Sequence, residues 1–176
     1  MVYITKETDG RTILNDGFVI TETRDLNLNI QNLKIYKSSV YVDDRGFVME
    51  AYRKNYFLGN GPVEQVYFAS VLKGTVKGFH CHKIHKDRLF VVTGRVKMGF
   101  IDMREESQYY GLSDSITIDS KLNPCLIEVP PMLYHGMIGI SEESIVMNIS
   151  THIFDPSDEI KIDPASVSFD WSTKNR

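Results

Sequence analysis

Hydrophobic residues recur along this chain in short runs separated by glycine, proline, asparagine and aspartate. The runs cover residues 33–42, 47–52, 63–72, 75–82, 88–102 with a break at Gly94, 115–118, 125–129 and 145–151. Runs of this length, rich in β-branched and aromatic residues and bounded by turn formers, predict β-strands. Helical periodicity extends for at most a turn or two, at 53–58 and near Glu105. The spacing predicts a mainly β fold, a sandwich or barrel.

Both ends depart from this pattern. Residues 1–30 are polar apart from the cluster Phe18-Val19-Ile20, which predicts an N-terminal arm preceding one domain at 31–176. The tail from Phe154 carries Asp155-Pro156, Asp163-Pro164 and Trp171. It reads as a surface segment pinned by aromatic side chains. A chain of 176 residues is of single-domain size and can bury roughly two-thirds of its unfolded surface.

Composition narrows the partners. A net charge of −3, with scattered lysines and arginines, provides no general attraction to nucleic acid. No apolar run reaches the length of a membrane span, and the first residues lack the basic and apolar halves of a secretion signal. Cys81 and Cys125 sit in apolar runs, as small buried side chains do in a reducing compartment. A cytoplasmic protein is expected.

The chemistry concentrates between Gly74 and Gly94, where His80 and His82 stand two apart in a predicted strand and so share a face. The succession Gly74, His80, His82, Asp87, Gly94 resembles the first motif of the cupin barrels, with Asp87 in place of glutamate. Pro130-Pro131-Met132-Leu133-Tyr134-His135 resembles the second motif, with Met132 for its glycine. Imidazole and carboxylate together suit zinc, iron, nickel, manganese or copper. A metal-dependent cupin using His80, His82, Asp87 and His135 is therefore one reading; hydrogen-bonded core histidines are the other.

Upstream, Asp43-Asp44-Arg45-Gly46-Phe47-Val48-Met49-Glu50 forms a turn leading into a strand. Together with Lys77-Gly78-Phe79-His80, Gln65, the stretch 94–104 with Ser107, 130–136 and Asp155-Pro156, it resembles the dTDP-4-dehydrorhamnose 3,5-epimerase family. The likeness spans residues 33–164. It implies a cupin barrel, the double-stranded β-helix jelly roll, in a homodimer without metal or other cofactor. The implied substrate is a nucleotide-linked 4-keto-6-deoxy sugar, with dTDP as the nucleotide. In this alignment His80 matches the base that removes a proton beside the ketone. Lys77 and Arg88 fall where cations support the enolate, and His135 lines the pocket that Gln65 helps to form. Arg45 and Glu50 match a nucleotide-contacting pair.

Other positions depart from the family. Its proton-returning tyrosine corresponds to Asn148, which is left as a substrate-binding residue because an amide cannot act as the acid. The aspartate paired with the base corresponds to Asn175, with Asp170 nearby. Tyr67, on the same predicted face as Gln65, is the candidate replacement acid. His82 stands where family members carry glutamine, and His80-Cys81-His82-Lys83 resembles the sugar 3,4-ketoisomerases, in which a second histidine shuttles protons. An epimerase of C3, C5 or both is expected; ketoisomerase, metal-dependent cupin and non-catalytic sugar-nucleotide binding module are the alternatives.

Overall fold

The structure, a computed structural model, describes residues 4–6, 12–14, 18–22, 30, 32–54 and 61–173. Its strands are β1 (Ile4–Lys6), β2 (Thr12–Leu14), β3 (Phe18–Glu22), β4 (Lys34–Lys37), β5 (Val40–Asp43), β6 (Gly46–Met49), β7 (Gln65–Leu72) and β8 (Val76–His82). They continue with β9 (Asp87–Thr93), β10 (Arg95–Asp102), β11 (Ser113–Asp119), β12 (Cys125–Val129), β13 (Leu133–Gly139), β14 (Glu143–Ser150) and β15 (Glu159–Lys161). One short 3-10 turn follows at Pro164–Ser166.

Two antiparallel sheets form a mainly β barrel, as the run spacing predicts, with the jelly-roll form that the family resemblance implies. The larger has the order β1-β2-β3-β4-β12-β9-β14-β7, and the smaller β11-β10-β13-β8-β15. The predicted arm supplies the first three of these strands and joins the body through β3 beside β4. Two stretches not expected as strands, β13 and β15, flank β8. Histidine and glycine interrupt the apolar pattern of β13, which follows Pro130-Pro131, and β15 is short and charged.

Alternation along the strands separates two apolar layers. Ile35, Leu89, Val91, Ile127, Val146, Val96, Met98 and Phe100 point between the sheets and form the main core. Their neighbours Tyr36, Phe90, Leu126 and Ile149 point outward and pack with Met49, Ala51 and Tyr52. Each fully buried aliphatic or aromatic side chain is worth roughly 1.5–3 kcal/mol, so the inner layer dominates stability. The C-terminal tail packs on the far side of the smaller sheet. Phe79, Phe169 and Trp171 stack there with ring centroids 4.5–5.1 Å apart, as the aromatic pinning of the tail predicts.

Candidate active site

At one end of the barrel the inward positions change from apolar to polar. On β8 the inward residues are His80 and His82, on β9 Asp87, on β13 His135, on β14 Asn148 and on β7 Tyr67. They stand in line with core residues of the same strands: Leu89 follows Asp87, Leu133 and Met137 flank His135, and Val146 precedes Asn148. Strand pairing brings them together, with His135 opposite His80 and Asn148 opposite Tyr67. Gly78 permits the approach of β8 to β13. At φ +126° it occupies a region disfavoured for L side chains, and a Cβ there would lie 2.5 Å from the Gly136 Cα.

Asp87 is the hub. It is 1% exposed and receives His135 Nε2 at 3.0 Å, while His82 Nε2 lies at 3.2 Å from its Oδ2 and His85 Nε2 at 3.5 Å from its Oδ1. Asn148 Nδ2 donates to the same Oδ1 at 2.6 Å. Burial alone would raise its pKa, but hydrogen bonds from the surrounding imidazoles hold it well below the usual carboxylate range. His135 also contacts the Leu133 carbonyl through Nδ1 at 3.0 Å. A carbonyl and a carboxylate can only accept, so each ring nitrogen of His135 faces an acceptor.

His80 lies beside this pair, its ring centroid 4.3 Å from that of His135 and its Nε2 3.9 Å from Asp87. Its side chain is 25% exposed, making it the most accessible member of the histidine–aspartate group. Burial, reinforced by the neighbouring His135, pushes its pKa down to about 3 against the pull of Asp87. His80 is therefore neutral at neutral pH, with a lone pair available. It also borders a cleft of about 240 Å³ with Lys161 and Asp163.

Tyr67 is 41% exposed, and its hydroxyl accepts a hydrogen bond from Asn148 Nδ2 at 2.8 Å. Burial of the ring edge and the nearby Asp87 charge raise its pKa, so the phenol keeps its proton. Asn148 thus bridges Tyr67 to Asp87, while its own Oδ1 accepts from the Arg88 backbone N–H at 3.2 Å. Gln65, at the start of the same strand, uses its side-chain oxygen to accept from the Phe154 N–H.

Other expected site residues lie elsewhere. Arg88 is fully buried on the opposite face of β9 from Asp87, where alternation directs its guanidinium to Glu128 at 3.0 Å and to the Pro62 carbonyl at 3.2 Å. It does not reach His80, and its expected role beside an enolate has no geometry in this chain. Lys77 shares β8 with His80 but is exposed. The cation bordering the His80 cleft is Lys161, paired across strands with His80 itself and missed because the tail is not apolar. Arg45 is 89% exposed at the tip of the β5–β6 hairpin and bonded to Asp43. Glu50 pairs with Arg53 at 2.5 Å just beyond that hairpin. Asn175 lies outside the described residues. Asp170 uses its carbonyl to accept from Lys97 Nζ at 2.5 Å.

The four candidate metal ligands sort into two groups. His80, Asp87 and His135 offer donor atoms within 4.8 Å of one another, and so do His82, His85 and Asp158. His85 and Asp158 are not among the expected site residues. The signal for His85 was its spacing from His82, a His-x-x-His pattern running off a strand end.

Known proteins resolve the family. The profile described as dTDP-4-dehydrorhamnose 3,5-epimerase matches residues 27–175. The chain belongs to this family. It is therefore a nucleotide-sugar epimerase by class and a cupin by fold. The spore coat polysaccharide biosynthesis protein SpsL of Bacillus subtilis is 29% identical over 84% of this chain and 99% of its own length. The probable low-salt glycan biosynthesis epimerase Agl13 of Haloferax volcanii is 28% identical over 83% and 97%. Among solved structures, the dTDP-4-dehydrorhamnose 3,5-epimerase of Sulfolobus tokodaii superposes with a TM-score of 0.76 at 26% identity, covering 89% of this chain and 87% of that one. No helix among the described residues is long and apolar enough to cross a membrane.

Proposed function

We propose that this chain inverts C3, C5 or both in a dTDP-linked 4-keto-6-deoxy sugar, with His80 as the base and Tyr67 as the acid. The observation carrying this reading is a neutral, partly open His80 in the same polar barrel end as a phenol whose oxygen is held by an amide. His80 takes the proton beside the ketone, and the electron pair moves onto the C4 oxygen as an enolate. The imidazolium formed is then compensated by Asp87 at 3.9 Å. Positive charge from Lys161 stabilises the enolate. Asn148 donates to Tyr67, which leaves the phenol's own hydrogen free to return to carbon.

The assembly is a cytoplasmic homodimer. The β5–β6 hairpin supports dimerisation because it exposes Tyr41, Val42, Phe47 and Val48, each 59–78% accessible, and edge strand β7 exposes Val66 and Phe68. Arg45 sits on that hairpin, so burying it against a second copy is the arrangement that brings Arg45 and Glu50 to a nucleotide. The named relatives support a place in surface glycan or polysaccharide biosynthesis.

Incubation with dTDP-4-keto-6-deoxyglucose in deuterated water tests the chemistry. Deuterium at C3 or C5 with the ketone still at C4 supports epimerisation, and His80→Ala abolishes the exchange. A shifted ketone would establish ketoisomerisation instead. Retained nucleotide binding without exchange in the parent would make the chain a binding module.

A further inference from the structure

We infer that His82, His85 and Asp158 form a divalent transition-metal site of zinc-binding chemistry behind the hub carboxylate Asp87. The inference is independent of the proposed reaction and departs from the metal-free expectation carried by the family resemblance.

Three separate segments converge there: the end of β8 supplies His82, the following loop His85, and the loop before β15 Asp158. The last is held in place by the chain. Asp158 accepts from the Lys83 N–H through its backbone carbonyl at 3.0 Å and from the Ile84 N–H through Oδ1 at 2.9 Å. That leaves Oδ2 as the free oxygen. The two imidazoles stack with centroids 3.4 Å apart and an interplanar angle of 29°, so their equivalent nitrogens point the same way. Both Nε2 atoms face Asp87, at 3.2 and 3.5 Å. Both Nδ1 atoms face Asp158 Oδ2, at 3.6 and 2.5 Å.

An ionised Asp87 only accepts, so it draws the Nε2–H of both imidazoles toward itself and leaves Nδ1 to face Asp158. Two imidazole nitrogens and a carboxylate oxygen then meet in a site where all three residues are 4–6% exposed. Among the described residues, these three atoms are buried without a hydrogen-bond partner and meet only one another, His85 Nδ1 lying against Asp158 as an ion pair whose hydrogen a bound metal ion would displace. Three such buried atoms meeting at a single point suit a cation. Two imidazole nitrogens and one carboxylate oxygen match a zinc-type donor set, and a carboxylate behind the histidines is the arrangement that orients metal-bound imidazoles.

Ligand atoms about 2.0–2.1 Å from a tetrahedral ion stand roughly 3.4 Å apart. The His82–Asp158 separation of 3.6 Å already suits this, and the His85 contact at 2.5 Å widens on binding. His85 and Asp158 also border an open cleft of about 440 Å³, lined by Glu64 and His152, through which an ion and a fourth ligand water enter. The ion acts through Asp87. By fixing His82 and His85 as donors, it positions the carboxylate that faces His80 and His135.

The test uses the full chain, stripped with a chelator and titrated with Co2+ alone, followed by competition with Zn2+. One equivalent with tetrahedral ligand-field bands and displacement by Zn2+ is expected. His85→Gln and Asp158→Asn should each weaken binding by more than the roughly 10–100-fold seen on losing an orienting partner. His135→Gln, which breaks the competing group, should leave affinity within about tenfold. Because variants can fail to fold, histidine-ring NMR of the unmodified protein supplies a second readout: added Zn2+ should move the Nδ1 resonances of His82 and His85. Absence of stoichiometric binding, ring shifts confined to His80 and His135, or affinity lost in His135→Gln and kept in His85→Gln would each overturn the assignment.

Discussion

Replacing Asp87 by asparagine keeps the shape of the hub and removes its charge. The carboxylate oxygens face four donors: His135 and His82 at Oδ2, and Asn148 and His85 at Oδ1. An amide presents one oxygen and one NH2, so either orientation sets a donor against a donor. The buried His85, whose pKa Asp87 helps to raise, also loses a counter-charge. Breaking a buried charged pair from one side costs about 3–5 kcal/mol. For a domain of this size each kcal/mol shifts Tm by about 2–4 °C, which places the Asp87→Asn midpoint roughly 6–20 °C below the parent. Urea and thermal unfolding at pH 7, with chelator present in both samples so that a bound ion does not contribute, measure the difference. A loss below about 1 kcal/mol with unchanged urea slope would show that the hub does not carry this share of stability.

Stability should also peak near pH 6.5. His80, whose folded pKa is depressed, contributes fully above its unfolded value of 6.5 and loses that contribution as pH falls toward about 3. His85 behaves oppositely: burial lowers its pKa, but Asp87 and Asp158 outweigh this and raise it, so its contribution is full below 6.5 and lost as pH rises through the folded value. Chelator-treated protein should show both limbs in Tm against pH; His80→Asn should flatten the acid limb and His85→Asn the alkaline one, and an unchanged profile in either variant would contradict the assignment. Tyr67→Phe should cut kcat for epimerisation by about 10²–10⁴-fold, the usual worth of a positioned acid, while Tm falls by only a few degrees. Comparable activity in this variant would remove Tyr67 from the mechanism. Gly99→Val should release the C-terminal tail, because a side chain there meets Phe169 and Trp171, and limited proteolysis should then cut the tail faster than in the parent.

The barrel was legible in the sequence because burying one strand face leaves a local trace, alternating apolar residues between turn formers. That trace fails where inward positions become polar. β13 places Leu133, His135 and Met137 inward, but its histidine and glycines hide the pattern. The pairing of His80 with His82 on one face also follows from spacing alone. Spacing does not say what lies behind each ring. Only the register of β8 with β13 and β15 sets His80 against His135 and Lys161, and only the fold brings Asp158 behind His82.

Motif position alone made Arg88 a candidate beside the substrate, and strand alternation turned it to the other face of the sheet, onto Glu128. Residue type and short-range period thus determined the fold class, the histidine pair and the family of this protein. Which carboxylate faces which imidazole was decided by contacts between residues distant in the chain. Those contacts depend on strand order and register, and no local pattern encodes them.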